Sequence, residues 1–277
     1  MSSPPIVVKI GGSTLTHRDT SLKDLVALQK QGTPVVVVHG GGNVISQWMR
    51  RQGIPPRFVD GLRVTDADSL DIVVAVLTGL INKELVSQIH SLGGRAMGFS
   101  GIDGGLLEAY IARPELGYVG EVTRVDPEPI RAILDSGFIP MMAPLAFHRL
   151  DGSEHAGGAL NINGDTVAGE VARALAAERL VFLTDVAGVM DGNGRVVPRL
   201  DRRRAANLLR SGVVRGGMIP KLDACLRALE TSLYTDIIDG REPNALLDCL
   251  QGRATGTRII GNTRGDAPPG HFPRDLN

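Results

Sequence analysis

Two early runs, Ile6–Ile10 and residues 35–38, are apolar and β-branched almost throughout, with Lys9 the one break. A strand that is apolar at nearly every position has both faces covered, which is the usual state of a parallel sheet with helices on either side. The chain keeps that rhythm. Further strands are expected at 95–99, Ile139–Ala143, 180–183 and 235–238, with helical stretches between them. A helix over 21–31 stops at Gly32, and one over 43–52 stops at Gly53. Thr65 or Asp66 caps a long helix that ends near Gly93 and Gly94. Asp126 and Pro127 supply a cap and a first-turn proline for a helix that stops at Gly137. The expected fold is α/β, a three-layer αβα sandwich with a mostly parallel central sheet and right-handed crossovers.

Two segments break the alternation. Residues 101–125 and 144–163 are interrupted by glycines and a proline, and are expected to form antiparallel hairpins or loops at a sheet edge, where a binding lid can sit. A length of 277 residues accommodates one large unit or two lobes sharing a sheet. No linker divides the chain, but a soft boundary near residue 178 separates an N-terminal lobe (1–178) from a C-terminal lobe (179–261). Residues 262–277, rich in Pro, Gly and charge, are expected to be a disordered tail, and Arg264-Gly265-Asp266 within it carries little weight as an adhesion motif.

Thirty basic and thirty acidic residues cancel, which argues against general affinity for nucleic acid or an anionic membrane. Arg202, Arg203 and Arg204 read as the solvated face of a helix start. Cys225 and Cys249 form neither a CxxC pair nor a disulfide framework. The first residues lack a cationic stretch followed by an apolar one, and the longest apolar run, 72–81, is about half the ~20 residues of a membrane span. A cytoplasmic protein is expected.

Glycine is abundant, 35 of 277 residues, against a typical ~7%, and it clusters with polar residues at strand ends. Ligands of open α/β sheets bind beyond the carboxyl ends of strands. Lys9-Ile10-Gly11-Gly12-Ser13 ends the first strand, and a lysine in an apolar strand must find a partner or reach a site. His39-Gly40-Gly41-Gly42-Asn43 exposes consecutive N–H groups at a helix start, an anion site by geometry and dipole; a tight turn alone needs only one glycine. In Gly61-Leu62-Arg63-Val64-Thr65-Asp66, Arg63 is suited to a bidentate grip on a carboxylate, although an isolated arginine is more often a surface residue. In Asn161-Ile162-Asn163-Gly164-Asp165 the two asparagines point the same way if extended, Asp165 can orient a lysine or a metal-bound water, and Asn163 or Asp165 can simply cap a helix. Thr184 to Val189 is a strand-end turn suited to a nucleotide. Gly216 to Lys221 leads into a helix and resembles a phosphate loop in composition. It is not a Walker A, and a Rossmann GxGxxG is also absent, which disfavours an NAD-dependent enzyme.

Taken in order, these six motifs resemble the amino-acid kinase family, from about Ile6 to Ile260. Within that family they are most similar to the branch acting on N-acetyl-L-glutamate. The resemblance implies ATP-dependent phosphorylation of that substrate's side-chain carboxylate, in arginine biosynthesis. Lys9 and Lys221 would stabilise the transferring phosphoryl group, and Asp165 would hold both lysines. Gly41 and Gly42 would bind near the reacting carboxylate, Arg63 would grip the α-carboxylate, and Asn161 and Asn163 would meet the N-acetylamino group. Nucleotide contacts would come from Gly11 and Gly12, from Asp185, Val186, Ala187, Gly188, Val189 and Met190, and from Gly217 and Met218. The N-terminal lobe would bind the acylated amino acid and carry the dimer contact, and the C-terminal lobe would bind ATP with Mg²⁺ held mainly by phosphates. Gly164 stands where the family pattern has alanine, and Asn43 follows the triple glycine. With five residues before the first strand, a homodimer insensitive to arginine is expected. The alternatives are a kinase for carrier-protein-bound aminoadipate or glutamate, which the Gly98–Gly104 stretch resembles equally, and a non-catalytic nucleotide or amino-acid sensor on the same fold.

Overall fold

The computed structural model describes residues 3–11, 20–148, 158–253 and 255–261. Gly12 and the tail over 262–277 lie outside the described residues. In chain order the elements are β1 (Ile6–Ile10), α1 (Ser21–Lys30), β2 (Val35–His39), α2 (Gly42–Arg51), β3 (Phe58–Val59), β4 (Leu62–Arg63), α3 (Ala67–Val74), a π-helical stretch (Ala75–Ile81), α4 (Asn82–Ser91), β5 (Ala96–Ser100), β6 (Leu107–Tyr110), β7 (Glu121–Val125), α5 (Glu128–Asp135), β8 (Ile139–Ala143), β9 (Leu145–His148), β10 (Ala159–Asn161), α6 (Gly164–Ala174), β11 (Arg179–Thr184), β12 (Arg199–Asp201), α7 (Arg202–Arg210), α8 (Met218–Ala228), β13 (Tyr234–Asp239), α9 (Ala245–Leu250) and β14 (Gly256–Ile260).

The central sheet has eight strands in the order β12-β14-β13-β11-β1-β2-β8-β5. Neighbours pair in parallel except β13 with β14. Alternation along the buried strands divides the core in two. Val7, Val36, Val38, Leu180 and Phe182 pack with residues of α5, α6, α7 and α8. Val8, Val35, Val37, Val181 and Leu183 pack with residues of α1, α2, α3, α4 and α9. These are the three layers the sequence implies. The parity also assigns two polar residues: Lys9, in step with Val7, points to the α6 side, and His39, in step with Val37, points to the α4 side. The soft boundary at 178 is no break in the sheet, because all five residues of β1 pair with Arg179–Leu183 of β11.

Three features differ from the expectation. The interrupted segments build a separate four-stranded sheet, β10-β9-β6-β7, rather than edging the central one. Strands β12 and β14, which sequence periodicity does not separate from the loops around them, extend the central sheet. Third, the long helix expected between Asp66 and Gly93 is present, Ala67–Ser91, but its middle, Ala75–Ile81, is π-helical; the whole is apolar enough by length and composition to cross a membrane. Val73, Val76, Leu77, Ile81, Leu85 and Ile89 on it are buried in the core, so it is a layer of the sandwich. Asp66 caps its start by accepting the Ser69 N–H at 3.0 Å.

Candidate active site

Lys9 is 8% exposed on the central strand, and α6 starts directly over it. Asn163 caps α6, its Oδ1 accepting the N–H groups of Asp165 at 2.9 Å and Thr166 at 3.2 Å. That cap aims Asp165, on the first turn, at the end of β1. The Lys9 Nζ lies 2.7 Å from Asp165 Oδ1, a buried ion pair. Lys221, on the first turn of α8, donates to Asp165 Oδ2 at 2.9 Å and to the Gly217 carbonyl at 3.3 Å. Two lysines from opposite ends of the chain thus share one buried carboxylate. Burial pushes the Asp165 carboxyl up, but the attraction of Lys9 and then Lys221 outweighs it and leaves the pKa below the usual range. Asp165 is therefore ionised at neutral pH, and the cluster carries one net positive charge.

Lys9 and Asp165 form one end of a cleft of about 210 Å³ whose walls include Gly40, Gly41, Gly42, Arg63, Asn161 and Asn163. Every residue proposed for substrate contact lies on this one surface. α2 begins at Gly42, so its first-turn N–H groups, which no intrahelical carbonyl can reach, border the cleft. Packing at Gly41 is tight: a Cβ there would sit 2.5 Å from Ile81 Cδ1 and 2.8 Å from Leu77 Cδ2, so those two side-chain ends would have to shift. At Gly164 a Cβ would meet Lys9 Cε at 3.5 Å, an ordinary contact, so the alanine of the family pattern also fits.

Arg63 reaches the cleft from the β3–β4 hairpin. Its Asp60–Gly61 turn has φ of 51° and 79°, which suits a two-residue hairpin. Arg63 as a residue is 8% exposed, and its guanidinium donates to the Gly42 carbonyl and Ser46 Oγ, each at 2.8 Å, and to Met49 Sδ at 3.1 Å, with the Phe58 ring 4.8 Å away. Burial first, and the charge of Arg50 second, lowers its pKa from the usual arginine value. No carboxylate pairs with it among the described residues. A buried cation with neutral partners, facing a cavity, is a site for an anion.

Other expected residues are placed differently. The Gly11 N–H is not free for phosphate; it donates to the Leu183 carbonyl at 3.1 Å, because the β1–β11 ladder runs one residue past the strand. Val189 has little left for a nucleotide: its side chain is in the core, its N–H donates to Thr257 Oγ1 at 2.8 Å, and its carbonyl accepts the Val197 N–H at 2.8 Å. Asp185, Val186, Ala187 and Met190 remain at least partly exposed after β11, and Gly217 and Met218 likewise at the start of α8. The Asn163 oxygen is committed to its cap, leaving its amide N–H groups. Asn161 donates to Thr65 Oγ1 at 3.1 Å, and its backbone is tied to Tyr118 and Gly120.

Sequence reasoning missed the support behind the glycine turn. His39 is fully buried, with Nδ1 3.1 Å from the Gly40 carbonyl and Nε2 3.1 Å from Asn82 Nδ2. Asn82 also donates to the Met141 carbonyl at 2.8 Å, and Lys83 donates to Asn82 Oδ1 at 3.0 Å. A Cβ on Gly98 would lie only 2.9 Å from Val86 Cγ2 and closer still to Asn82 Oδ1, so the glycine there makes room for this asparagine. Desolvation lowers the His39 pKa to about 4, so the ring is neutral at physiological pH. The available signal was a lone asparagine at the end of an otherwise apolar helical run.

Known proteins bear on this geometry. The profile of the Amino acid kinase family matches residues 4–239. An acetylglutamate kinase of Dehalococcoides mccartyi is 45% identical over 94% of this chain and 96% of its own. One from Synechococcus sp. is 43% identical over 93% of this chain and 86% of its own. Among solved structures, that of smu.665 from Streptococcus mutans UA159 superposes with a TM-score of 0.78 at 30% identity, covering 93% of this chain and 98% of the other. With the family profile matching most of its length and relatives of this similarity, the chain belongs to the amino acid kinase family.

Proposed function

We infer that the protein transfers the γ-phosphoryl group of ATP to the side-chain carboxylate of N-acetyl-L-glutamate, a reading supported by relatives named acetylglutamate kinase. The observation that carries this reading is the Lys9–Asp165–Lys221 cluster at one end of a cleft whose wall holds the buried Arg63. A carboxylate is already a nucleophile at pH 7, so the chemistry needs alignment and charge neutralisation and no general base. Arg63 fixes the substrate by its other carboxylate, and Asn161 meets the N-acetyl amide. The first-turn N–H groups of α2 hold the attacking oxygens. Lys9 and Lys221 lie where negative charge moves from leaving to attacking oxygen, and Asp165 keeps the two ammonium groups together without cancelling both. The turn after β11 and the start of α8 receive the nucleotide. Among the described residues no group of three or more His, Cys, Asp or Glu is placed to hold a metal ion, and both Asp165 oxygens already face lysines, so these residues do not fit a protein-held Mg²⁺. Such an ion belongs with the nucleotide's phosphates.

The test is acyl-phosphate formation trapped with hydroxylamine, across acetylglutamate, glutamate, aspartate and carrier-bound aminoadipate. Hydroxamate should appear with acetylglutamate and ATP. Arg63→Ala should raise the KM for acetylglutamate about 10–100-fold, as loss of a charged hydrogen-bonding partner implies. Product only from the carrier-bound substrate would overturn the assignment.

The same reading includes a homodimer. β5 is an edge of the central sheet, and Met97 on it and Leu80 on the neighbouring π-helical stretch are 44% and 41% exposed. A second copy against this edge covers both. Native mass measurement should give two chains; a monomer at micromolar concentration would contradict it.

A further inference from the structure

The distance between Lys221 and Asp165 is set by the contact between the helices that carry them. Gly169 lies one turn below Asp165 on α6, and Ala224 lies nearly one turn below Lys221 on α8. A Cβ on Gly169 would fall 2.8 Å from the Ala224 carbonyl oxygen and 2.9 Å from its Cα. These are backbone atoms, so they cannot swing aside. Ordinary carbon contacts begin near 3.5 Å, so any side chain at 169 drives the helices apart by roughly 0.7 Å. Below this point a second ion pair bridges the same two helices. Glu170 is 4% exposed; its Oε1 accepts from Arg227 of α8 at 2.8 Å, and its Oε2 accepts from Arg173 at 2.7 Å. Asp223 holds the Arg227 Nε at 2.9 Å. The seam is therefore an ion pair at the site, a glycine contact in the middle, and an ion pair at the far side.

We propose that Gly169 and the Glu170–Arg227 pair are positioning residues that act on phosphoryl transfer by holding the Lys221 ammonium against Asp165. This rests on the kinase reading above. Nothing in the seam below Asp165 and Lys221 lines the acetylglutamate cleft. Its effect on the reaction therefore passes through Lys221. Misplacement of a charge-neutralising group by about 1 Å is enough to lower a rate by up to about 100-fold.

The experiment uses the full chain with Gly169→Ala, Arg227→Met and Arg227→Lys, each alone and combined with Lys221→Ala, measuring kcat and both KM values by hydroxamate formation, with thermal melting alongside. Gly169→Ala should lower kcat about 10–100-fold with KM values within about threefold. Arg227→Met should lower kcat about tenfold, and Arg227→Lys should recover most of it. In the Lys221→Ala background none of the three should reduce kcat further by more than about twofold, because the group they position is gone. Equal losses in both backgrounds, or lower melting temperatures with kcat intact, would overturn the proposal. If Gly169→Ala does not fold, the Arg227 pair of variants decides alone. Wild-type protein that forms no hydroxamate defeats the kinase reading and this inference with it, whereas active wild type with multiplicative losses defeats the seam only.

Discussion

Lys9→Ala should lower kcat by about 10²–10³-fold, the usual loss when one preorganised group that stabilises developing charge is removed. The KM for acetylglutamate should change little, since Arg63 and Asn161 remain. Lys221→Ala should behave similarly, with the nucleotide still bound. Asp165→Asn separates two roles. It leaves two ammonium groups near each other with no counter-charge, so folding stability should fall by about 3 kcal/mol as well as kcat. The Asp165 pKa is lowered in the folded protein, so its contribution to stability is present above the unfolded carboxyl value and disappears as pH falls through the folded one. The stability gap between wild type and Asp165→Asn, measured by urea unfolding, should close in acid. A sensor on this fold would retain nucleotide binding in all three variants and would have no turnover to lose.

The second large effect is acid lability centred on His39. Its folded pKa of about 4 lies below the ordinary 6.5. Between those values the unfolded chain binds the extra proton, so stability falls as pH falls through that window. At about 1.4 kcal/mol per pKa unit the loss reaches roughly 3 kcal/mol by pH 4. Asp236 opposes part of this. Burial raises its carboxyl pKa, so its contribution favours the folded state on the acid side. The comparison of wild type with His39→Asn isolates the histidine: denaturant midpoints should drop more steeply between pH 6.5 and 4.5 in wild type. Parallel curves would show that His39 contributes nothing to the slope.

Much of the site was legible because its residues violate local patterns. Lys9 interrupts an apolar strand, three consecutive glycines exceed what a turn needs, and Asn163 stands where a helix must be capped. The central strands were legible because full burial leaves an apolar run. The second sheet was not, because β6 carries Glu108 facing inward, paired with Arg124 at 2.7 Å, and a bulge after it shifts the register. A buried charge and a bulge both erase alternation. Asn82 was hidden for the converse reason: a polar residue in a long amphipathic helix looks solvated until the fold shows what it faces. The free N–H expected of Gly11 failed on a one-residue extension of a ladder, which no composition reveals.

The order of strands has a consequence for how the chain is made. β1 sits between β2, which follows it closely, and β11, which begins at residue 179. Until that strand emerges from the ribosome, β1 is an open edge, apolar on both faces and with unpaired backbone groups, the kind of surface that recruits other chains. Its partner lysine arrives later still, on α8. A chain cut short before residue 218 therefore lacks Lys221 and cannot form the two-lysine cluster, and one cut before 179 also exposes its most aggregation-prone strand. Pairing across such sequence distance closes slowly, so early termination should yield insoluble fragments rather than weakly active ones.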